Sequence, residues 1–214
     1  SAPAKGVDGT FVYKVNHESY DPGSHDVVSN SSCTTNCIVP MVKVLMDSFG
    51  LDSGYMTTVH AYTNDQSLLD TAHKDPRRAR SAPNNVVPTS TGAARTASVI
   101  YPELEGKIDG MAMRVPVADG SITDFVGRVS REVTAEEVND AFREAANGQL
   151  RDIMVYNEDP IVSSDIIGNP ASCVFDSPLT MASGQNVKIL GWYDNEWGYS
   201  CRTCDLVQYV GEKL

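Results

Sequence analysis

The sequence predicts an α+β domain, a mixed and largely antiparallel sheet with helices packed on one face. Three observations carry this expectation. Segments of strand character outnumber helical ones, few of them follow the strand–helix–strand alternation of a doubly wound fold, and no Gly-x-Gly-x-x-Gly fingerprint occurs in the 214 residues. Taken in order, Phe11–Val15 and Asp26–Ser29 read as short strands around the turn Asp21-Pro22-Gly23. From Thr34 to Phe49 the residues Ile38, Val39, Val42, Leu45 and Met46 recur at helical spacing, and Gly50 closes the helix. Pro40 inside that run is expected to kink the helix or to free the Asn36 carbonyl. Tyr55–His60 reads as a strand ending on His60, and Thr63–Thr91, with Pro76, Pro83 and Pro88, as a long irregular stretch of the kind that is usually functional. A short helix follows over Thr91–Ile100. Met111–Val117 and Ser121–Val129 alternate and predict a pair of strands joined at Asp119-Gly120. Thr134 and Glu137 form a capping box ahead of the stripe Val138, Phe142, Ala145. Strands are expected at Ile153–Tyr156, Ser172–Phe175 and Val187–Tyr193, and a final helix over Glu196–Val210.

Composition narrows the function classes. Hydrophobic residues make up 41% and charged residues 21%, the balance of a folded chain. Seventeen basic against 28 acidic side chains give a net charge of −11, which argues against a nucleic-acid or anionic-membrane partner. No apolar run reaches the roughly 18 residues of a membrane span. The five cysteines, Cys33, Cys37, Cys173, Cys201 and Cys204, form no even framework, so free thiols in a reducing, cytoplasmic compartment are expected. Cys201-x-x-Cys204 falls within the final helix without companion ligands, and reads as two helix cysteines one turn apart, with no metal. The opening Ser1-Ala2-Pro3 has neither an initiator Met nor a signal-peptide core and reads as a cut end.

The chemistry concentrates in a few segments. In Ser29–Cys37, Cys33 stands where a strand passes into a helix, and the unpaired amides and dipole of a helix start favour a thiolate. Ser32 and Thr34 flank it with hydroxyls suited to an anion, while Cys37, one turn on, is expected to point into the core. His60 ends a strand, and a histidine is the usual base for a cysteine nucleophile. His73–Arg80 carries four of the 17 basic residues, a candidate phosphate clamp in an acidic chain. Thr89–Gly92 adds hydroxyls and amides at a helix start. Arg114 lies in an apolar strand, so a carboxylate or a ligand anion has to meet it.

These segments, with His60–Gln66, Pro88–Ala94, Met111–Pro116 and Trp192–Tyr199, run nearly end to end in one order. Together they resemble the catalytic half of phosphorylating glyceraldehyde-3-phosphate dehydrogenases. That resemblance implies Cys33 as nucleophile and His60 as base. It implies a pocket for inorganic phosphate made by Ser32, Thr34, Thr91 and Gly92, and a second for the phosphate of glyceraldehyde 3-phosphate made by Thr63, Arg78 and Arg114. It places Asn195 and Tyr199 at the nicotinamide of NAD and gives Ser1 a coenzyme contact. Residues 1–29 would then be the end of a dinucleotide-binding domain, 30–195 the catalytic domain, and 196–214 a helix packing on the absent half. Weak coenzyme binding and impaired activity are therefore expected of this chain alone. Thr71-Ala72 departs from the residue–proline pair of many NAD-specific relatives and leaves NADP open. The family further implies a homo-oligomer through the catalytic domains. The alternatives are erythrose-4-phosphate dehydrogenase, against which the hydroxyl of Thr63 weighs, and a protein-binding module at a cell surface.

Overall fold

The computed structural model describes residue 4 and residues 6–214; the expected coenzyme contact of Ser1 lies outside them. In chain order the described elements are β1 (Gly9–Thr10), β2 (Val28–Ser29), α1 (Cys33–Phe49), β3 (Leu51–Ala61), β4 (Val87–Ser90), α2 (Ala93–Ile100), β5 (Ile108–Val115), β6 (Ser121–Val129), α3 (Ala135–Asn147), β7 (Met154–Asn157), β8 (Cys173–Asp176), β9 (Met181–Ser183), β10 (Asn186–Tyr193) and α4 (Trp197–Gly211). Eight of the strands form one sheet in the order β4-β5-β3-β6-β10-β8-β7, with β9 pairing to β10. Only β3–β5 and β7–β8 run parallel in it, so the sheet is mixed and mostly antiparallel, as the pattern predicts.

Alternation fixes which face is covered. Phe125 and Val129 of β6, Val187 and Ile189 of β10, and Met56 of β3 join α1, α2 and α3 in one buried cluster. Val126, Tyr55 and Met181 on the opposite register stay exposed. Phe142 of α3 stacks on Phe175 of β8 with ring centroids 3.9 Å apart, which ties α3 to the far end of the sheet. The helix stripe read from Val138, Phe142 and Ala145 is buried as expected.

The capping box of α3 is complete. Glu137 N–H donates to Thr134 Oγ1 at 3.1 Å and Thr134 N–H to Glu137 Oε2 at 2.8 Å. Thr134→Ala is expected to lower stability by about 1 kcal/mol, seen as a lower urea midpoint at unchanged m-value. α1 runs unbroken through Pro40, which has no N–H to offer Asn36, and ends where Gly50 takes φ 66°. A side chain at position 50 would also meet Ser130 Oγ at 2.7 Å.

Three local expectations are corrected. Phe11–Val15 is not a strand: pairing stops at Thr10, Asn16 Oδ1 captures Val12 N–H at 2.7 Å, and Lys14 turns through φ 58°. The stretch Thr63–Thr91 is not irregular throughout, because β4 lies within it. Pro88 breaks the strand pattern in the sequence yet is tolerated because β4 is an edge strand. β5 and β6 are not a hairpin, since β3 lies between them, parallel to one and antiparallel to the other. The three-residue β9 was not foreseen from its pattern, being too short to alternate.

Candidate active site

The helix start expected at Cys33 is built by its cap. Ser32 Oγ accepts from Thr35 N–H at 3.1 Å, and Cys33 is the first residue of α1. The turn before it is tight: Ser31 sits at φ 60°, its carbonyl held by the Tyr199 hydroxyl of α4 at 2.9 Å. β3 delivers His60 from the neighbouring strand end, and Cys33 Sγ lies 3.5 Å from His60 Nε2. Ala61 O lies 2.7 Å and Arg114 Nη1 2.9 Å from His60 Nδ1, so the ring is held from its Nδ1 side while Nε2 faces the sulphur.

Register places Arg114 beside His60, since the two are paired residues of β5 and β3. Arg114 Nη1 lies 2.9 Å from His60 Nδ1 and donates to Ala61 O at 2.9 Å and to Thr63 Oγ1 at 3.4 Å, while its buried Nε has no partner. No carboxylate forms an ion pair with Arg114 among the described residues. Arg78 reaches the same region from the basic loop. Its Nε donates to Thr89 Oγ1 at 2.8 Å, and its Nη1 bonds Asp65. The loop is less cationic than its sequence suggests, because Asp65, Asp70 and Asp75 pair with Arg78, Arg80 and His73. A cleft of about 720 Å³ opens alongside, lined by Thr63, Asp65, Gln66, Ala118 and Glu196 among others.

The electrostatics correct one expectation. Burial pushes the Cys33 thiol above its usual value, and this outweighs the hydrogen bonds from the Thr34 amide and hydroxyl and the pull of Arg114. A helix start by itself does not yield a thiolate in so enclosed a place. Burial, with the nearby Arg114 charge, likewise drives His60 down to about 4. The resting couple is thus a neutral thiol facing a neutral imidazole.

Of the residues singled out in the sequence, Cys33, His60, Thr63 and Arg114 come together directly, and Arg78 joins through Thr89 and Asp65. Ser32 spends its oxygen on the cap. Thr34 is buried, with its hydroxyl 2.9 Å from that of Tyr193. Thr91 Oγ1 accepts from Ala93 N–H at 3.2 Å and Gly92 caps α2, so both stand at a helix start, with open space where a Gly92 side chain would be. Asn195 Oδ1 accepts from Ser121 Oγ–H at 2.7 Å and its Nδ2 lies 3.3 Å from Glu196 Oε1.

Sequence reasoning missed three supports. Tyr193 packs edge-on against His60 at 5.9 Å, Ser121 ties Ala61 to Asn195, and Asp65 neutralises Arg78. The inward parity of β10 and the first position of β6 were the signals for the first two. Among the described residues no three His, Cys, Asp or Glu side chains gather as a metal site.

Fold and site define a class: an α+β domain whose thiol–imidazole couple is flanked by guanidinium groups. A family model, "Glyceraldehyde 3-phosphate dehydrogenase, C-terminal domain", matches residues 32–195. The chain is 60% identical to glyceraldehyde-3-phosphate dehydrogenase 2 of Streptomyces avermitilis, 61% to the enzyme of Streptomyces coelicolor and 54% to glyceraldehyde-3-phosphate dehydrogenase 1 of Bacillus subtilis. Each match takes in 100% of this chain and 64% of the relative, so the chain spans just under two thirds of their length. The chain belongs to the glyceraldehyde 3-phosphate dehydrogenase family and carries its C-terminal domain.

Proposed function

We propose that Cys33 carries the acyl group in the oxidative phosphorylation of glyceraldehyde 3-phosphate to 1,3-bisphosphoglycerate, a step of glycolysis. The observation that supports this most is Arg114, a guanidinium without an ion pair, set beside a thiol 3.5 Å from an imidazole. A half-buried cation without a carboxylate is costly, and a substrate phosphate supplies the missing charge. Thr63 and Arg78 complete that pocket, and Ser32, Thr34, Thr91 and Gly92 offer the helix-start features for inorganic phosphate.

His60 takes the thiol proton as Cys33 Sγ attacks the aldehyde carbon, and a hemithioacetal forms. His60 hands that proton on to the former carbonyl oxygen, which becomes the hydroxyl, and is free to take the hydroxyl proton back as the carbon is oxidised, which leaves a thioester on Cys33. Inorganic phosphate attacks the thioester carbonyl, the C–S bond breaks, and the Cys33 thiol is restored. NAD, when bound, accepts the hydride. Asn195 keeps one amide hydrogen for the carboxamide of the nicotinamide, and Tyr199 stands close by on α4, so these side chains fit that end of the coenzyme. NADP is the alternative. Residues 1–29 and 196–214 are read as flanking the catalytic domain 30–195, on the side of the dinucleotide-binding domain. The exposed sheet face with Tyr55, Val126 and Met181 is the surface through which copies of the chain would pair, in the cytoplasm.

The test needs no coenzyme, because acyl phosphates run the second half-reaction backwards. 1,3-Bisphosphoglycerate is expected to leave one phosphoglyceroyl group on Cys33, mapped by peptide mass spectrometry; labelling spread evenly over the five cysteines would overturn the reading. Arg114→Leu is expected to slow this acylation about 10- to 100-fold, the worth of a charged hydrogen bond, and to leave acylation by acetyl phosphate within threefold or so. Equal losses with both reagents would remove Arg114 from the substrate phosphate.

A further inference from the structure

We propose that Cys201 and Cys204 of α4 form a chelating dithiol for monosubstituted trivalent arsenicals, R–As(OH)2, with R apolar. Both thiols are free, Cys204 exposed and Cys201 half-buried. With Trp197 and Gln208 they recur at i, i+4, i+7 and i+11, which makes one stripe along the helix. The inner face of α4 is Gly198, Arg202 and Leu206. The groove between α4 and β2 is lined from the helix by Thr203, Leu206, Val207 and Val210. The cysteine stripe belongs to neither, so covering that groove leaves both thiols open to solvent.

Spacing selects the ligand. Side chains three apart on a helix have β-carbons about 5–6 Å apart. A disulfide needs them at about 3.5–4.5 Å, so direct closure would distort α4. A single bridging atom bonded to both sulphurs spans the wider gap. Structural zinc wants four ligands, and among the described residues no three His, Cys, Asp or Glu side chains gather here. A monosubstituted arsenic takes two sulphurs, and its third bond carries R. Trp197 stands one turn before Cys201 and is 54% exposed. Helix side chains lean toward the N-terminus, so an apolar R group held over Cys201 meets that indole.

The step balances. Each thiol gives its proton to a hydroxyl on arsenic, two As–S bonds replace two As–O bonds, and two waters leave. No electrons are transferred, and no charge is left on the helix. The site shares no residue with the thiol–imidazole couple and does not depend on the reaction proposed above.

The test titrates phenylarsine oxide, which hydrates to phenyl–As(OH)2, into Cys33→Ser protein, so that the thiol facing His60 cannot compete. One phenylarsenic group per chain is expected by native mass spectrometry. Adding Cys201→Ser or Cys204→Ser is expected to weaken retention at least about a hundredfold, because closure of the second As–S bond is intramolecular. Trp197→Ala is expected to weaken it about 2- to 10-fold, the worth of one aromatic pair, and no change there would remove the indole from the site. Retention indifferent to both cysteine changes overturns the proposal, as does a Cys33→Ser protein that takes no arsenical. Should the variants fail to fold, the loaded wild type with Cys33 alkylated is cleaved at acidic residues, which keeps Cys201 and Cys204 on one peptide. Arsenic bridging that peptide supports the site, and arsenic on Cys37 or Cys173 overturns it.

Discussion

Changing His60 to glutamine is expected to slow acylation of Cys33 by about 10²- to 10⁴-fold, the usual worth of a positioned general base. Burial keeps Cys33 protonated at neutral pH, so attack requires that its proton go somewhere. The basic group in reach is the imidazole of His60, whose Nε2 lies 3.5 Å from the sulphur and whose ring is held at Nδ1 by Ala61 O and Arg114 Nη1. Glutamine retains an amide to bond Ala61 but offers no base. Rapid-quench mass spectrometry with 1,3-bisphosphoglycerate measures the effect, and a loss below about tenfold would mean that solvent takes the proton instead.

The same histidine is expected to make the fold acid-sensitive. In the unfolded chain an imidazole titrates near 6.5; in the fold, burial and Arg114 push His60 down to about 4. Between those values the unfolded state binds a proton that the folded state refuses, so stability rises with pH across this window and falls on acidification through it. The contribution is fully present above pH ~6.5 and fully lost below pH ~4, about 3 kcal/mol in all at 1.36 kcal/mol per tenfold change in proton affinity. Urea melts at pH 7 and pH 4 should show the wild type losing about 3 kcal/mol more than His60→Gln. Equal losses in the two proteins would mean that His60 is protonated in the fold.

What could be read from the sequence follows physical lines. α1, α3 and the sheet parity were legible because period and capping are local properties, written in Ile38, Val42, Leu45, Thr134 and Glu137. The pairing of β5 with β3 was not, because alternation tells which face a strand shows and not which neighbour it takes. Cys33 and His60 were legible as types suited to each other, and the resemblance gave them roles. The protonation of Cys33 was not legible, since a helix start argues one way and enclosure by the rest of the chain argues the other. The basic loop looked like free charge because its counter-ions Asp65, Asp70 and Asp75 are spread through the same loop and pair only when it folds.

The place of β3 in the middle of the sheet sets an order of events at the ribosome. His60 finds its neighbour Arg114 only 54 residues further along the chain. At about 5–20 residues per second, the strand that carries the base waits roughly 3 to 11 seconds for that partner. Through that interval Leu51–Ala61 has neither of its sheet neighbours, β5 and β6, and is open to other strands. The residue that faces the thiol thus lies on a stretch of the nascent chain that stays open to misassembly, and slower synthesis over the segment encoding residues 62–114 lengthens the wait.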